Sequence, residues 1–482
     1  MAELHDLGAL EQWRLLQRGD VGVVELTEHY LARIERLNPV VGAFHEVTAE
    51  RARERARFVE QHVPRTTTLW GLPYGDKDLV RRAGVRTTFG SRLFADFVPE
   101  DSDGLANDLD AAGGVSLGKT ATPEFGLPSY TENLVAPPAR NPYDLTLGAG
   151  GSSGGAAAAV ASGMLPFAPG SDGGGSIRIP AAATGLVGLK PSRGRVPSGS
   201  GIGALAGLPV AGPLAHSVLD AALLFDGMIS PNGSPPRQPF ALRAPENTDG
   251  PFLGAAVRGE GRFQLGVLFD SVWSSVQNIV VDPEIRGTVD QTVELLANLG
   301  HGIETLALEP SPEYPPAFRT IWQAGAANIP ADDSTEHLLE PLTRWLMHRG
   351  RAIGAAELTA ALATLSAFER SIIRQFSAFD AIVTPTLALS SRPLGWYDAV
   401  DGERNFAQQV EYSPFTSFVN VSGLPAITLP VGETASHQPI GVQLIGRPGG
   451  EATLLSLGRQ LERQLRWETV HPPVWSLVEE VR

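Results

Sequence analysis

Four stretches of the 482-residue chain hold residue types that could do chemistry: GLPYGDKDLV at 71–80, GGVSLGKT at 113–120, GGSSG at 150–154 and GSDGGGSIRIP at 170–180. GGVSLGKT fits the phosphate-cradling pattern G-x-x-x-x-G-K-[ST], but a working loop follows a strand and opens into a helix at its Lys-Thr. Here the apolar strand residues VSL lie inside the motif, and Pro123 soon after Thr120 spoils a helix. Gly113 and Gly114 read instead as the end of the preceding helix. GGSSG fits a G-x-S-x-G nucleophile elbow, yet ARNPYDLTLGAG before it supplies no buried strand. A Ser–His–Asp hydrolase would also need His437 or His471, and both sit in polar or Pro-flanked stretches that read as exposed loops.

GSDGGGSIRIP carries more. Gly173, Gly174 and Gly175 let the backbone curl so that successive N–H groups converge on an anion, and Ser176 ends the run. A serine placed there has its oxyanion donors beside it, each worth about 3–4 kcal/mol of transition-state stabilisation. Asp172 and Arg178 flank the loop with opposite charges that can pair across it. The serine needs a base, and no histidine is near in sequence. A lysine serves if burial leaves it neutral. Lys77 lies in an otherwise apolar strand-like segment, and strand alternation turns Asp76 and Asp78 to the opposite face.

The elements that must position these groups follow from periodicity. Residues 7–60 read as helices, with Leu26, Tyr30, Ile34 and Leu37 on one face. A helix over LANDLDAAGG runs into the strand VSLG, and an alanine-rich helix follows GGSSGG. QLGVLFD, HGIETLAL, AIVTPTLAL, PAITLPVG and IGVQLIG read as strands; about 333–377 and 451–465 read as helices. Alternating helices and buried strands predict α/β architecture around one large mixed sheet. Residues 230–262, rich in Pro, Gly and Arg, read as a surface excursion. Loops at about 121–139, 196–210, 318–345 and 390–418 are candidate pocket walls. Phe318, Trp322, Trp345, Trp396, Phe406, Tyr412 and Phe415 fall in them and read mainly as packing, though such residues suit an aryl or hydrophobic acyl group.

Composition narrows the class. The chain is 43% hydrophobic and 19% charged, carries a net charge of −15 and has no cysteine. Nucleic acid and anionic membranes both require a basic face, so neither is expected as the main partner. The missing cysteines remove disulfides, zinc-thiolate sites and thiol nucleophiles. With no signal-peptide pattern and no apolar run long enough to span a bilayer, a cytoplasmic enzyme is expected.

Nine blocks then occur in order: GxPxxxKD at 71–78, GKTATPEFG at 118–126, RNPYD at 140–144, GGSSGG at 150–155, GSDGGGSIRIPAA at 170–182, GLVGLKPSRGRVP at 185–197, VTPT at 383–386, NVSGLPAITLPVG at 420–432 and PIGVQLIG at 439–446. Together they closely resemble the amidase signature family across nearly the whole chain. The resemblance implies one domain over 1–482, a central mixed sheet covered by helices on both faces. Within it lie an N-terminal helical segment (1–65), a core with the catalytic residues (70–215), the excursion at 230–262 and the rest of the core with the pocket loops (263–482). It further implies a Ser–cis-Ser–Lys triad: Ser176 the nucleophile, Ser152 the bridge after a cis peptide with Gly151, and Lys77 the base. Ser153 would orient the pair, and the backbone N–H groups of Gly173, Gly174, Gly175 and Ser176 would hold the oxyanion. No metal or cofactor is implied, the substrate would be a small amide, and a homodimer is left open. Departures from the family pattern at Ala156, Ser171, Gly173, Ala183-Thr184 and Asp76 bear on substrate preference, and Asp76 would oppose a neutral lysine if it came near. The competing readings are a glutamine-amidase subunit of a tRNA amidotransferase and, third, a Ser–His–Asp hydrolase or esterase.

Overall fold

The computed structural model describes residues 3–197, 205–229, 242 and 250–476. Thirteen strands are formed there: β1 (Phe44–Val47), β2 (Pro73–Lys77), β3 (Val115–Thr120), β4 (Arg140–Asn141), β5 (Asp144–Gly148), β6 (Phe167–Asp172), β7 (Val187–Lys190), β8 (Val210–Ala215), β9 (Gln264–Val267), β10 (Gly302–Thr305), β11 (Ala381–Pro385), β12 (Ala426–Glu433) and β13 (Pro439–Gly446). Eight of them make the main sheet in the order β10-β9-β11-β13-β12-β7-β8-β6. Only the β10-β9-β11 end is parallel; the other pairings are antiparallel. A second sheet, β1-β3-β2, pairs β2 parallel and β1 antiparallel to β3.

Both faces of the main sheet are covered, and glycines mark where the layers touch. A Cβ on Gly458 would lie 3.2 Å from Leu429 and 3.6 Å from Ile427, so these β12 side chains point to helix Glu451–Leu465. Thr428, between them, points the other way: a Cβ on Gly441 would meet its methyl at 3.0 Å and Ala182 at 2.6 Å. Ala182 belongs to helix Arg178–Thr184. Period-two alternation thus assigns one helix layer to each face. Helix Pro283–Asn298 has the chemistry of its start written locally: Asp282 accepts from Glu284 N–H, proline occupies the first turn, and Ile285, Val289 and Leu296 are buried along one face.

Two features differ from the sequence reading, and one agrees with it. The span 7–60 is not all helix, because β1 interrupts it between helices Val23–Val41 and Ala49–His62. Within GGVSLGKT, Val115–Thr120 form strand β3, as the sequence reading expected; Lys119 is fully buried, donating to Val80 O and Thr87 Oγ1 and lying 3.4 Å from Asp78. Of the excursion 230–262, residues 230–241 and 243–249 lie outside the described residues, and Leu253–Arg258 is a helix. Among the described residues, no single helix is long and apolar enough to cross a membrane.

Candidate active site

Lys77 ends β2, and the two serine-bearing turns come to it from helix N-termini. Ser152 and Ser153 precede helix Gly154–Ala161; Ser176 lies between β6 and helix Arg178–Thr184. The Lys77 side chain is 1% exposed. Its Nζ lies 2.8 Å from Ser152 Oγ, 2.9 Å from Ser153 Oγ, 3.0 Å from Ser171 Oγ and 3.3 Å from Ser171 O. Burial pushes the amine down to about 7; the carboxylate of Asp172 opposes this.

The flanking aspartates do not reach the amine. Asp76 accepts from Arg82 Nε at 2.6 Å and Ser116 Oγ at 2.7 Å, on the far side of β2. Burial alone would raise this carboxyl, but the Arg82 charge holds it below the usual range. Asp78 accepts from the N–H and hydroxyl of Thr88. Asp76 is therefore neutralised by Arg82 and does not stand against a neutral Lys77.

The turn carrying Ser152 is built by close approach. The Gly151–Ser152 peptide is cis. A Cβ on Gly151 would fall 2.5 Å from Tyr130 O, and one on Gly155 would fall 2.3 Å from Ala121 N, so neither position admits a side chain. Thr131 Oγ1 donates to Gly150 O at 2.8 Å, and Thr122 Oγ1 donates to Ser152 O at 3.1 Å. Ser153 N–H donates to Ser176 O at 3.1 Å, tying the two serine turns together.

The glycine loop is shaped by Asp172. Its carboxylate accepts from Gly175 N–H at 2.7 Å and Ile177 N–H at 3.1 Å, and from Arg178 Nε and Nη2 at 3.0 and 2.9 Å. Burial would raise Asp172, but the Arg178 guanidinium holds it well below the usual carboxylate range. Arg178 also donates to Gln443 Oε1 and Asn420 Oδ1, both at 2.6 Å. Thr416 Oγ1 donates to Gly174 O at 2.6 Å. This corrects the donor set read from the sequence: the Gly175 N–H is turned away to Asp172. Gly173, Gly174 and Ser176 keep N–H groups with no acceptor among the described residues.

Two cavities meet at Ser176. One, of about 750 Å³, is bordered by Ser152, Ser171, Gly173 and Ser176, with Leu208 and Ile321 among its walls. The other is bordered by Gly174 and Ser176 and by the rings of Trp273, Phe318, Trp322 and Phe406. Sequence reasoning placed Phe318, Trp322 and Phe406 in loops; they stand on helices Tyr314–Ala326 and Gly402–Tyr412. Trp345 lies on helix Pro341–Arg351, and Tyr412 packs with Tyr397 away from both cavities. Trp273, Thr416, Asn420 and Gln443 were missed. Only the polar residues inside apolar runs, such as Asn420 in SFVNV, could have flagged them. His437 pairs with Glu433 on the surface, and His471 stacks on Trp475; neither borders a cavity that Ser176 lines.

The sequence profile of the Amidase family matches residues 25–455. Over 476 residues the chain is 36% identical to a Mycobacterium tuberculosis protein provisionally named amidase AmiB2, covering 97% of this chain and 98% of that one. It is 33% identical over 500 residues to a glutamyl-tRNA(Gln) amidotransferase subunit from Roseiflexus sp. (strain RS-1), covering 98% of this chain and 99% of the relative. The fold is similar to that of a 6-aminohexanoate cyclic dimer hydrolase solved with its substrate, with a TM-score of 0.86 and 28% identity over 98% of this chain and 100% of that one.

Proposed function

This chain belongs to the amidase family, whose members hydrolyse amide bonds, and we propose that it does so through an acyl-enzyme on Ser176. The observation that carries the reading is Lys77 Nζ, buried and 2.8 Å from Ser152 Oγ, with its amine lowered to about 7.

A neutral amine has two N–H donors and one lone pair. Ser153 Oγ donates its own proton to Ser171 O at 3.2 Å, so its oxygen can only accept from Lys77. Ser171 supplies further acceptors for the second N–H. The lone pair is then left for the Ser152 hydroxyl. Lys77 draws the proton of Ser152 as Ser152 draws that of Ser176, and Ser176 Oγ attacks the amide carbon without a free alkoxide forming.

The negative oxygen of the tetrahedral intermediate faces the N–H groups of Gly173, Gly174 and Ser176, which are fixed before the reaction begins. Collapse breaks the C–N bond. The departing nitrogen takes a proton from Ser152, which Lys77 replaces, leaving an acyl ester on Ser176. Water adds by the same relay in reverse, and the carboxylic acid leaves.

A second reading, that of a tRNA amidotransferase component, is favoured by the Roseiflexus relative. Ammonia release from simple primary amides by the purified chain, lost in Ser176→Ala, supports the first reading. Activity that appears only with partner chains and ATP supports the second.

A further inference from the structure

The two cavities at Ser176 differ in what they border, and that difference orients the substrate. Ser152 and Ser171 border the wide cavity and not the aromatic one; Ser176, Leu127 and Trp322 border both. If Ser152 returns the proton to the departing nitrogen, that nitrogen must face Ser152, on the wide side. The carbonyl carbon sits at Ser176 with its oxygen toward the glycine loop. One direction remains for the acyl substituent: the aromatic chamber.

That chamber suits an uncharged group. Its walls are the rings of Trp273, Phe318, Trp322 and Phe406, with Ile179 closing one side. Three of its polar side chains have protein partners: Gln409 accepts from Ser129 N–H and donates to Asn405, Ser413 donates to Gln409 O, and Ser417 accepts from Trp273 Nε1 and Tyr314 OH. No charged side chain lines it among the described residues. Its volume of about 60 Å³ is small beside the 750 Å³ of the wide cavity, which favours one compact group. A carboxylate or ammonium carried inside would be stripped of water with no counter-charge, which is strongly unfavourable.

We propose, building on the Lys77–Ser152 relay, that the aromatic chamber is the acyl subsite for an uncharged aryl or branched aliphatic group, and that the amine leaves through the wide cavity. L-glutamine, which carries both its charges on the acyl side, is then a poor substrate.

Four amides test this on the intact protein. Phenylacetamide, acetamide and L-glutamine share ammonia as leaving group, while N-benzylacetamide shares its acyl group with acetamide. Wild type is expected to favour phenylacetamide over acetamide in kcat/KM by about 10-fold or more, with L-glutamine below acetamide. Phe406→Ala should shrink the phenylacetamide-to-acetamide ratio and leave the N-benzylacetamide-to-acetamide ratio where it was. Equal use of L-glutamine and phenylacetamide overturns the proposal, as does a Phe406→Ala change confined to the amine-side ratio. Should that variant fail to fold, Phe318→Leu takes its place, and the wild-type ratios already decide against the proposal if no acyl preference exists. Hydrolysis without acyl preference sinks this inference alone. Hydrolysis of none of the four sinks the amidase reading with it.

Discussion

Asp172 and Arg178, both fully buried, meet through a two-point carboxylate–guanidinium contact at 2.9 and 3.0 Å. The same carboxylate holds two N–H groups of the intervening loop. The carboxylate of that ion pair thus braces the loop whose Gly173, Gly174 and Ser176 border the two cavities.

Asp172→Asn should separate the two consequences of that pair. Removing one partner strands a buried guanidinium, at a cost of about 3–5 kcal/mol in urea unfolding. In the protein that remains folded, a displaced oxyanion donor should lower kcat by about 10²–10³-fold with little change in KM. A variant with wild-type kcat would show that the loop keeps its shape without the charge.

The proposed role of Lys77 as base carries a pH dependence. Its amine is lowered to about 7 by burial, so the reactive neutral form is lost as pH falls. The quantity kcat/KM should rise with unit slope through about pH 7 and level off above it. Lys77→Arg, whose guanidinium stays protonated, should be inactive across the range. A flat profile from pH 5 to 9 would argue against a neutral-lysine base.

Ser152 and Ser153 lie at nearly equal distances from Lys77 Nζ, 2.8 and 2.9 Å, yet the relay gives them unequal weight. Ser152→Ala should lower kcat/KM by about 10²–10⁴-fold. Ser153→Ala, which removes one orienting hydrogen bond, should cost about 10-fold, in line with roughly 1 kcal/mol or slightly more. The reverse order in a steady-state comparison would reassign the bridge.

Gly155 answers to sterics. A Cβ there would fall 2.3 Å from Ala121 N and 2.5 Å from both Ala121 O and Ala43 O, all backbone atoms that cannot swing aside. Gly155→Ala should lower stability by about 1–3 kcal/mol and disturb the Ser152 turn. Gly287→Ala, with nothing within 4 Å of its Cβ, is the matched control and should fold normally by circular dichroism and urea titration.

What the sequence made legible follows from how local each signal is. Helix Glu451–Leu465 and strands β12 and β13 carry their own periodicity and were readable within a residue or two. The bend before Ser176 was readable because successive glycines let the backbone curl, and Gly175 there takes a φ of +134°. Strand β1 was not, since four residues, FHEV, acquire strand character only by pairing with β3, more than seventy residues further on. Thr416, Asn420 and Gln443 were hidden for the same reason: their partners Gly174, Asp172 and Arg178 lie over two hundred residues earlier in the chain. The aromatic walls were visible as residue types, but their helices and their convergence on Ser176 are tertiary facts.

The central claim, that Lys77 and Ser152 activate Ser176, is tested most directly by covalent trapping. Wild-type protein is treated at pH 8 with a fluorophosphonate, the adduct is mapped by peptide mass spectrometry, and its rate is compared with Lys77→Ala. The account predicts one adduct, on Ser176, forming about 10²–10⁴-fold more slowly without the lysine. An adduct on another residue, or an unchanged rate in Lys77→Ala, would contradict it.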